Sequence, residues 1–321
     1  MYQITKKIKP LPLILFFGIS TVCHADYPER PVRVVVAFAS AGGTDIAARV
    51  VMQKLTQTTG QSFVVDNRPG AGSMMGTEIV SRANPDGYTL QVVSPEFTVN
   101  VSLQPKVPYD ALKDFSPIIQ FSMGQYILAT LPNLNITSVK SLIDFAKKNP
   151  KALNYASSGI GSANHLGGEL FKSMASIHLE HIAYKGSGLA INAFLAGEVQ
   201  ILISSTSAII NHVRSGKVRA LAVTALTRSP MAPDIPTVNE SGLPGFDLTG
   251  WYGLVAPKNT PRKLIDKLNL TSNSILPSLK DRFADLGVEI VGGSAQSFGQ
   301  FLAKDVAKWA EVVKFSGARS D

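Results

Sequence analysis

Cysteine is nearly absent from this sequence of 321 residues, in which Cys23 is the only one. Because Cys23 lies in an N-terminal leader, the chain without that leader cannot form a disulfide, and its stability has to come from a hydrophobic core. The length is sufficient to bury such a core and suggests two domains. Long apolar runs are also missing after the leader, so no later segment is suited to anchor the chain in a membrane.

The leader has the residue order of a secretory signal peptide. Three lysines within the first nine residues precede an apolar run from Leu11 to Val22, and Ala25 follows soon after. We expect residues 1–25 to be a signal peptide that is cleaved after Ala25. Lipidation of Cys23 is the alternative, but Val22 stands where a small residue is expected before a lipidated cysteine.

A strong excess of charge of one sign is missing as well. The net charge is +8, and it falls to +5 without the leader, which carries three lysines and no acid. The remaining basic residues are scattered and are not interleaved with aromatic residues, so we predict no nucleic-acid partner. A weakly positive field of this kind favours small anions.

The usual signatures of enzyme chemistry are incomplete. His165 and Glu169 are spaced to share one helix face, but no third metal ligand is evident. No Gly-x-Ser-x-Gly elbow occurs, and the third glycine of a dinucleotide fingerprint is misplaced after Gly159-Ile160-Gly161. We therefore predict no metal, no cofactor and no catalysis. A secreted serine-type hydrolase that acts on small esters or amides is the alternative.

The chain does contain one repeated arrangement, in the segments Val32 to Leu55 and Leu153 to Met174. In each, a β-type run leads into a loop of small residues and then into an amphipathic helix. Small side chains leave the backbone N–H groups of the loop uncovered, and the helix that follows directs its free N–H groups to the same place. Each segment is a candidate anion seat, and two seats suggest a ligand held from both sides.

Strand-like and helix-like segments alternate along the chain, which predicts an α/β fold with mostly parallel sheets flanked by helices. Two connections without a long helix, Ile119 to Tyr126 and Leu243 to Gly253, are interpreted as crossings between two lobes. We expect one lobe at 26–124 plus 250–321 and the other at 125–249. A double crossing forms a hinge, which lets two lobes close on a ligand.

Six ordered motifs resemble a known family. They are Tyr27-Pro28-Glu29-Arg30-Pro31-Val32-Arg33, Gly42-Gly43-Thr44-Asp45, Asp66-Asn67-Arg68-Pro69-Gly70-Ala71-Gly72, Pro85-Asp86-Gly87-Tyr88-Thr89-Leu90, Tyr184-Lys185-Gly186 and Gly216-Lys217-Val218-Arg219-Ala220-Leu221-Ala222-Val223. This pattern resembles the tripartite tricarboxylate transporter substrate-binding family, also called the Bug family of periplasmic receptors, over nearly the whole chain after the leader.

The resemblance implies a two-lobed periplasmic binding protein of the type II, or Venus-flytrap, class. It implies a small organic anion, usually a carboxylate, as the ligand in the interlobe cleft, and membrane permease subunits or a sensor protein as the partner. The periplasm is the location it implies, and we expect a monomer. Two departures from the family pattern bear on the ligand: Ser40 adds a hydroxyl to the first loop, and Gln200 and Ser204 replace acids of the second lobe.

In the first lobe, the candidate ligand-binding residues act mainly through backbone N–H groups. The alternative is that Gly42-Gly43 only permits a tight turn before the helix. Asp45 in the first helical turn is expected to complement the helix dipole, with an amine or hydroxyl of the ligand as its other possible partner. The nominated residues of this lobe are Ser40, Ala41, Gly42, Gly43, Thr44 and Asp45.

In the second lobe, serines around two helix starts are the main candidates, although capping explains them as well. Lys185 supplies a full positive charge, with simple solvation as the alternative. Trp251 and Tyr252 lie on the second crossing, where they wall the cleft or pack at the hinge. The nominated residues of this lobe are Ser157, Ser158, Gly161, Ser162, Asn164, Lys185, Ser204, Ser205 and Thr206.

Overall fold

The computed structural model describes Tyr2 and residues 27–40, 43–184 and 186–316, without the side chains of residues 315 and 316. Apart from Tyr2, the predicted signal peptide lies outside the described residues. The same holds for the nominated site residues Ala41, Gly42 and Lys185.

The described part of the chain alternates strands and helices. Its strands are β1 (Val32–Val36), β2 (Phe63–Asn67), β3 (Thr89–Val93), β4 (Phe115–Thr130), β5 (Asn154–Ser157), β6 (Glu180–Ala183), β7 (Ile201–Ser205), β8 (Arg219–Val223), β9 (Thr249–Pro257) and β10 (Val288–Ile290). Its α-helices are α1 (Gly43–Thr59), α2 (Met74–Ser81), α3 (Glu96–Leu103), α4 (Val139–Lys148), α5 (Ala163–Ala175), α6 (Ser187–Leu195), α7 (Thr206–Arg214), α8 (Arg262–Ile275), α9 (Lys280–Asp285) and α10 (Ala295–Ser316).

The strands form one mixed sheet in the order β2-β1-β3-β9-β4-β7-β5-β6, with β8 and β10 paired to β4. Two parallel groups, β2-β1-β3 and β7-β5-β6, flank the long strand β4 and its antiparallel neighbours. The predicted α/β fold is confirmed. The sheet is mixed because β9 runs antiparallel to both β3 and β4, and β4 runs antiparallel to β7 and β8.

The first predicted crossing is part of a single strand. β4 pairs with β9 and β10 up to Gln125 and with β7 and β8 from Tyr126 onwards, so it belongs to both halves of the sheet. The sequence predicts two separate strands here, Ile118–Ile119 and Tyr126–Thr130, because polar residues and Gly124 interrupt the apolar pattern between them. Gly124 is required for packing instead, since a Cβ there would lie 2.6 Å from Val288 Cγ1 of β10.

The second crossing is hydrogen-bonded to the second half of the sheet until β9 begins. The Leu248 backbone N–H donates to Thr224 O at 2.9 Å, and the Thr224 hydroxyl donates back to Leu248 O at 2.7 Å. The Tyr126 backbone N–H donates to the same hydroxyl at 3.0 Å, so Thr224 connects both crossings.

Helix α10 contributes to the cores of both halves. Phe298 and Leu302 pack in a cluster with Trp251, whereas Trp309 and Val312 pack in a cluster with residues of α5 and β5. The lobe bounds remain a prediction. Helix α10 packs against residues of both predicted lobes. No helix in the described part of the chain combines the length and apolar character needed to cross a membrane.

Candidate binding site

A cavity of about 320 Å³ lies where the two halves of the sheet face each other. Five strands end at this cavity, and a helix begins there after each of them: α1 after β1, α3 after β3, α5 after β5, α6 after β6 and α7 after β7. Open α/β sheets bind their ligands outside the carboxyl ends of the strands, where such helices start. The lining residues are Gly43, Thr44, Ser94, Pro95, Glu96, Gly124, Gln125, Tyr126, Ser158, Ser162, Ala163, Asn164, Ser187, Ser204, Ser205, Gly250, Trp251, Tyr252, Leu286, Gly287 and Val288.

The electrostatic character of the cavity follows from these helix starts. The first backbone N–H groups of an α-helix have no intrahelical acceptor, and the helix dipole adds a partial positive charge at the same end. Five such ends meet at this cavity, and among the described residues of its lining Glu96 is the one acidic side chain. The site is therefore suited to a small anion.

The loop before α5 is held in place by its own side chains. Asn164 Oδ1 lies 2.9 Å from Ser158 Oγ and 2.6 Å from Ser162 Oγ, and it accepts from the Ser158 backbone N–H at 3.3 Å. Gly159 and Gly161 have φ values of 134° and 80°, which glycine adopts without strain. The loop is thus held in one conformation by hydrogen bonds between its own residues.

Two histidines hold this loop from behind. The Gly161 backbone N–H donates to His165 Nδ1 at 3.1 Å, and Ser157 Oγ lies 2.6 Å from His181 Nε2. The two imidazole rings are 4.2 Å apart between centroids. Burial lowers the pKa of His181 to about 4, with a further contribution from His165, and burial also lowers the pKa of His165. Both rings are neutral at pH 7, which lets His165 Nδ1 act as an acceptor.

The structure brings both predicted seats to one cavity. From the first lobe, Gly43 and Thr44 line it. From the second lobe, serines of two different loops and one asparagine line it: Ser158, Ser162, Asn164, Ser204 and Ser205.

Five other nominated residues do not line the cavity. Asp45 is 2% exposed, and its carboxylate accepts from Arg49 Nε at 2.9 Å and from Asn67 Nδ2 at 2.9 Å. Ser157 is fully buried beside His181, and the Thr206 hydroxyl donates to Gln125 O at 3.0 Å. Ser40 is exposed before the start of α1, and Gly161 lines an adjacent cavity.

The sequence interpretation missed the contribution of α3. The segment after Pro95 has apolar residues at alternate positions, which favours a strand, but it forms a helix that packs against α10. A helix-start signal was present in Ser94-Pro95-Glu96, because proline is common at the first turn of a helix and acids are favourable there. Gln125 and Tyr126 were missed as well, since they lie within a strand.

Trp251 and Tyr252 both line the cavity. A Cβ on Gly43 would lie 2.7 Å from the Tyr252 hydroxyl, which places this phenol against the start of α1. Burial raises the pKa of Tyr252 to about 12, and the charge of Glu96 adds to the shift. Trp251 is 1% exposed and donates from Nε1 to Asp305 Oδ2 at 3.2 Å, so it also packs at the base of the cleft.

A second cavity of about 560 Å³ adjoins the first. The two share Glu96, Ser158 and Ser162, and the second also contacts Asn100 and Gly161. Within the described residues, no group of three or more His, Cys, Asp or Glu side chains is arranged to hold a metal ion.

Comparison with known proteins agrees with this geometry. A family model described as the tripartite tricarboxylate transporter family receptor matches residues 47–317. Protein BugT of Bordetella pertussis is 37% identical over 307 residues, which cover 94% of this chain and 94% of that protein.

Two solved structures are also similar. Rpa4515 of R. palustris, solved with adipate, is 34% identical with a TM-score of 0.78, and the match covers 91% of this chain and 99% of that one. MatC from Rhodopseudomonas palustris, solved with bound malate, is 30% identical with a TM-score of 0.75, and the match covers 89% of this chain and 100% of that one. The family predicted from the six motifs is confirmed: the chain belongs to the tripartite tricarboxylate transporter receptor family.

Proposed function

We propose that this protein is a periplasmic receptor that captures a small carboxylate between its lobes and presents it to membrane permease subunits or to a sensor protein. The observation that carries the proposal is the meeting of five helix starts at one cavity. A carboxylate accepts several hydrogen bonds, and uncovered N–H and hydroxyl groups from both lobes supply the donors.

The magnitudes are sufficient for useful affinity. Hydrogen bonds to a charged group contribute about 1.5–3 kcal/mol each. Micromolar binding requires about 8 kcal/mol, so a few such bonds from each seat reach it even after the cost of association. Two relatives solved with carboxylates, adipate in Rpa4515 and malate in MatC, support this class of ligand.

The proposed mechanism is closure of the two lobes around the ligand. The seats belong to different halves of the sheet, which β4 and the second crossing connect. A ligand that contacts both seats binds the closed form more tightly than the open form and shifts the population towards it. The membrane partner then recognises the closed surface. This role involves no cofactor and no bond-making chemistry.

A thermal-shift screen against small carboxylates tests the proposal. A ligand at 100 times its Kd stabilises the protein by about 2.7 kcal/mol, which raises the Tm by several degrees. Citrate, short dicarboxylates, acidic amino acids and aromatic acids form the panel. The absence of a shift with every member would contradict carboxylate binding.

Gly43→Ala tests whether the first seat holds the ligand. The added Cβ meets the Tyr252 hydroxyl and narrows the approach to the start of α1. We expect affinity for the best carboxylate to fall at least tenfold by calorimetry, with little change in Tm without ligand. The matched control is Gly299→Ala in α10, where a Cβ makes only ordinary contact with Pro117 Cγ at 3.4 Å. Equal affinity in both variants would show that the first seat does not contact the ligand.

One observation favours the serine-hydrolase alternative, namely the 2.6 Å contact between Ser157 Oγ and His181 Nε2. A nucleophile also needs access to substrate, whereas Ser157 is fully buried. Its Oγ accepts a hydrogen bond from the Gly159 backbone N–H at 3.1 Å. This environment favours a structural role for the pair. Turnover of small esters or amides that is lost in Ser157→Ala and Ser162→Ala would establish the hydrolase instead.

A further inference from the structure

We propose that Glu96 makes this receptor selective for carboxylates that also carry a protonated nitrogen. The inference rests on the proposed function. It concerns the part of the ligand that lies away from the carboxylate held by the helix starts. Glu96 is the first residue of α3 and lines both adjoining cavities, so it lies where they join.

Charge is distributed unevenly around the two cavities. Among the described residues that line them, Glu96 is acidic and none is lysine, arginine or histidine. Among these described lining residues, a simple dianion therefore meets one negative charge and no side-chain cation. A ligand with a protonated nitrogen turns the same contact into an attraction.

Glu96 also has few partners of its own. Its one hydrogen bond within the described residues comes from the Ser94 hydroxyl, which lies 2.7 Å from Oε2. Other acids in the interior are paired with cations: Asp45 with Arg49 at 2.9 Å and Asp305 with Lys308 at 3.0 Å. Buried charges are ordinarily paired in this way, and a cationic group of a ligand that covers Glu96 supplies the corresponding partner.

Gln125 lines the same cavity. It is 8% exposed, and its Oε1 is buried without a hydrogen-bond partner within the described residues. A carboxylate offers no proton to Glu96, whereas an ammonium group offers three donors.

Aromatic side chains complete the surroundings. Tyr126 and Tyr252 line the cavity together with Glu96, and burial raises the pKa of both phenols, to which the charge of Glu96 adds. Aromatic rings next to a carboxylate form a favourable site for a cationic nitrogen. The helix starts hold the carboxylate end of the ligand, and Glu96 with its neighbours holds the nitrogen end.

Calorimetry with matched ligand pairs tests the inference. The pairs are succinate and L-aspartate, glutarate and L-glutamate, and adipate and L-2-aminoadipate, whose members differ by one amino group. In the wild-type protein we expect at least one amino acid to bind tenfold or more tightly than its plain diacid. Glu96→Gln, which keeps the size and the Ser94 contact, is expected to reduce that preference at least tenfold. Glu311→Gln on the exposed face of α10 is the matched control and keeps the preference.

The outcomes separate the two proposals. Plain diacids that bind as well as the amino acids, or a Glu96→Gln variant that weakens both members of a pair equally, would overturn the role of Glu96 and leave carboxylate binding intact. No binding by any of these six ligands, together with no thermal shift from any member of the wider carboxylate panel, would contradict the proposed function itself. If Glu96→Gln does not fold, the preference for the amino acid over the plain diacid is measured in Glu96→Asp and in the wild-type protein. Glu96→Asp keeps the charge and is expected to keep the preference, and loss of the preference in this variant would contradict a role for the charge.

Discussion

At the scale of single residues, position in the fold decides what a side chain does. Asp45 and Glu96 are both acids in the first turn of a helix that starts at the cavity. Asp45 turns away from it to Arg49 and Asn67, while Glu96 lines it. The helix dipole favours an acid at either position. Their neighbours in the tertiary structure differ, so Asp45 has a structural role and Glu96 is a candidate for ligand selectivity.

The histidine pair behind the α5 loop predicts a pH-dependent stability. The pKa of His181 is lowered to about 4 in the folded protein, so between its ordinary value near 6.5 and pH 4 the unfolded chain binds more protons. The free energy of unfolding is therefore expected to be constant above pH 7 and to fall by about 1–2 kcal/mol from pH 6.5 to 4, less than the full linkage value because His181 is partly exposed.

Urea denaturation at several pH values measures this dependence. The groups that face His181 are His165, Glu169, Lys172 and Glu180. His181→Gln is expected to flatten the curve, whereas His212→Gln, at the far end of α7 from the cavity, leaves its slope unchanged. An equally steep slope in His181→Gln would assign the pH dependence to other groups.

At the scale of elements, α10 joins parts of the molecule that are distant in sequence. Asp305 is 3% exposed, accepts from the Thr98 hydroxyl of α3 at 2.7 Å and from Trp251 Nε1 of β9, and pairs with Lys308. This cluster sits behind the segment that carries Glu96. It fixes α3 relative to the sheet, so a side chain that does not itself line the cavity supports residues that do.

Asp305→Asn tests that support. The change removes the buried charge opposite Lys308 and leaves a polar group of the same shape, and we expect it to lower the free energy of unfolding by about 2–3 kcal/mol. Glu311→Gln in the same helix is the surface control and should change it by less than about 0.5 kcal/mol. Chemical denaturation with fluorescence detection gives both values. A change of less than 1 kcal/mol in Asp305→Asn would show that α10 is held by its apolar contacts alone.

At the scale of the whole molecule, the two seats come together only because the chain passes between the halves of the sheet. β4 belongs to both halves without a break, and Thr224 links it to the second crossing. Connections of this kind allow small backbone rotations to move one seat relative to the other. The proposed closure is a property of this arrangement and of no single residue.

Solution scattering tests closure directly. Saturation with the carboxylate that gives the largest thermal shift is expected to reduce the radius of gyration of the wild-type protein. At a ligand concentration equal to the wild-type Kd, Gly43→Ala, whose affinity is expected to be at least tenfold lower, should show a much smaller reduction than the wild-type protein. An unchanged radius at saturation would rule out closure as the response to ligand.

The sequence by itself determined the α/β fold, the family and most of the elements, because these depend on local periodicity and on motifs that are contiguous in the chain. It also marked two loops, and residues of both reach the cavity, among them Thr44 and Ser158. Small residues before an amphipathic helix leave the backbone N–H groups uncovered in any tertiary arrangement, so such a loop can be identified from the sequence without knowledge of the fold.

Only the tertiary structure decided which polar residues face the cavity. Ser157 and Thr206 carry hydroxyl groups as Ser158 and Ser205 do, yet Ser157 and Thr206 are buried behind the lining. The α3 segment reads as a strand in isolation, and packing against α10 makes it a helix that brings Glu96 to the cleft. Contacts between residues some two hundred positions apart, such as Thr98 with Asp305, leave no trace in local sequence patterns, because they form only when the chain is folded.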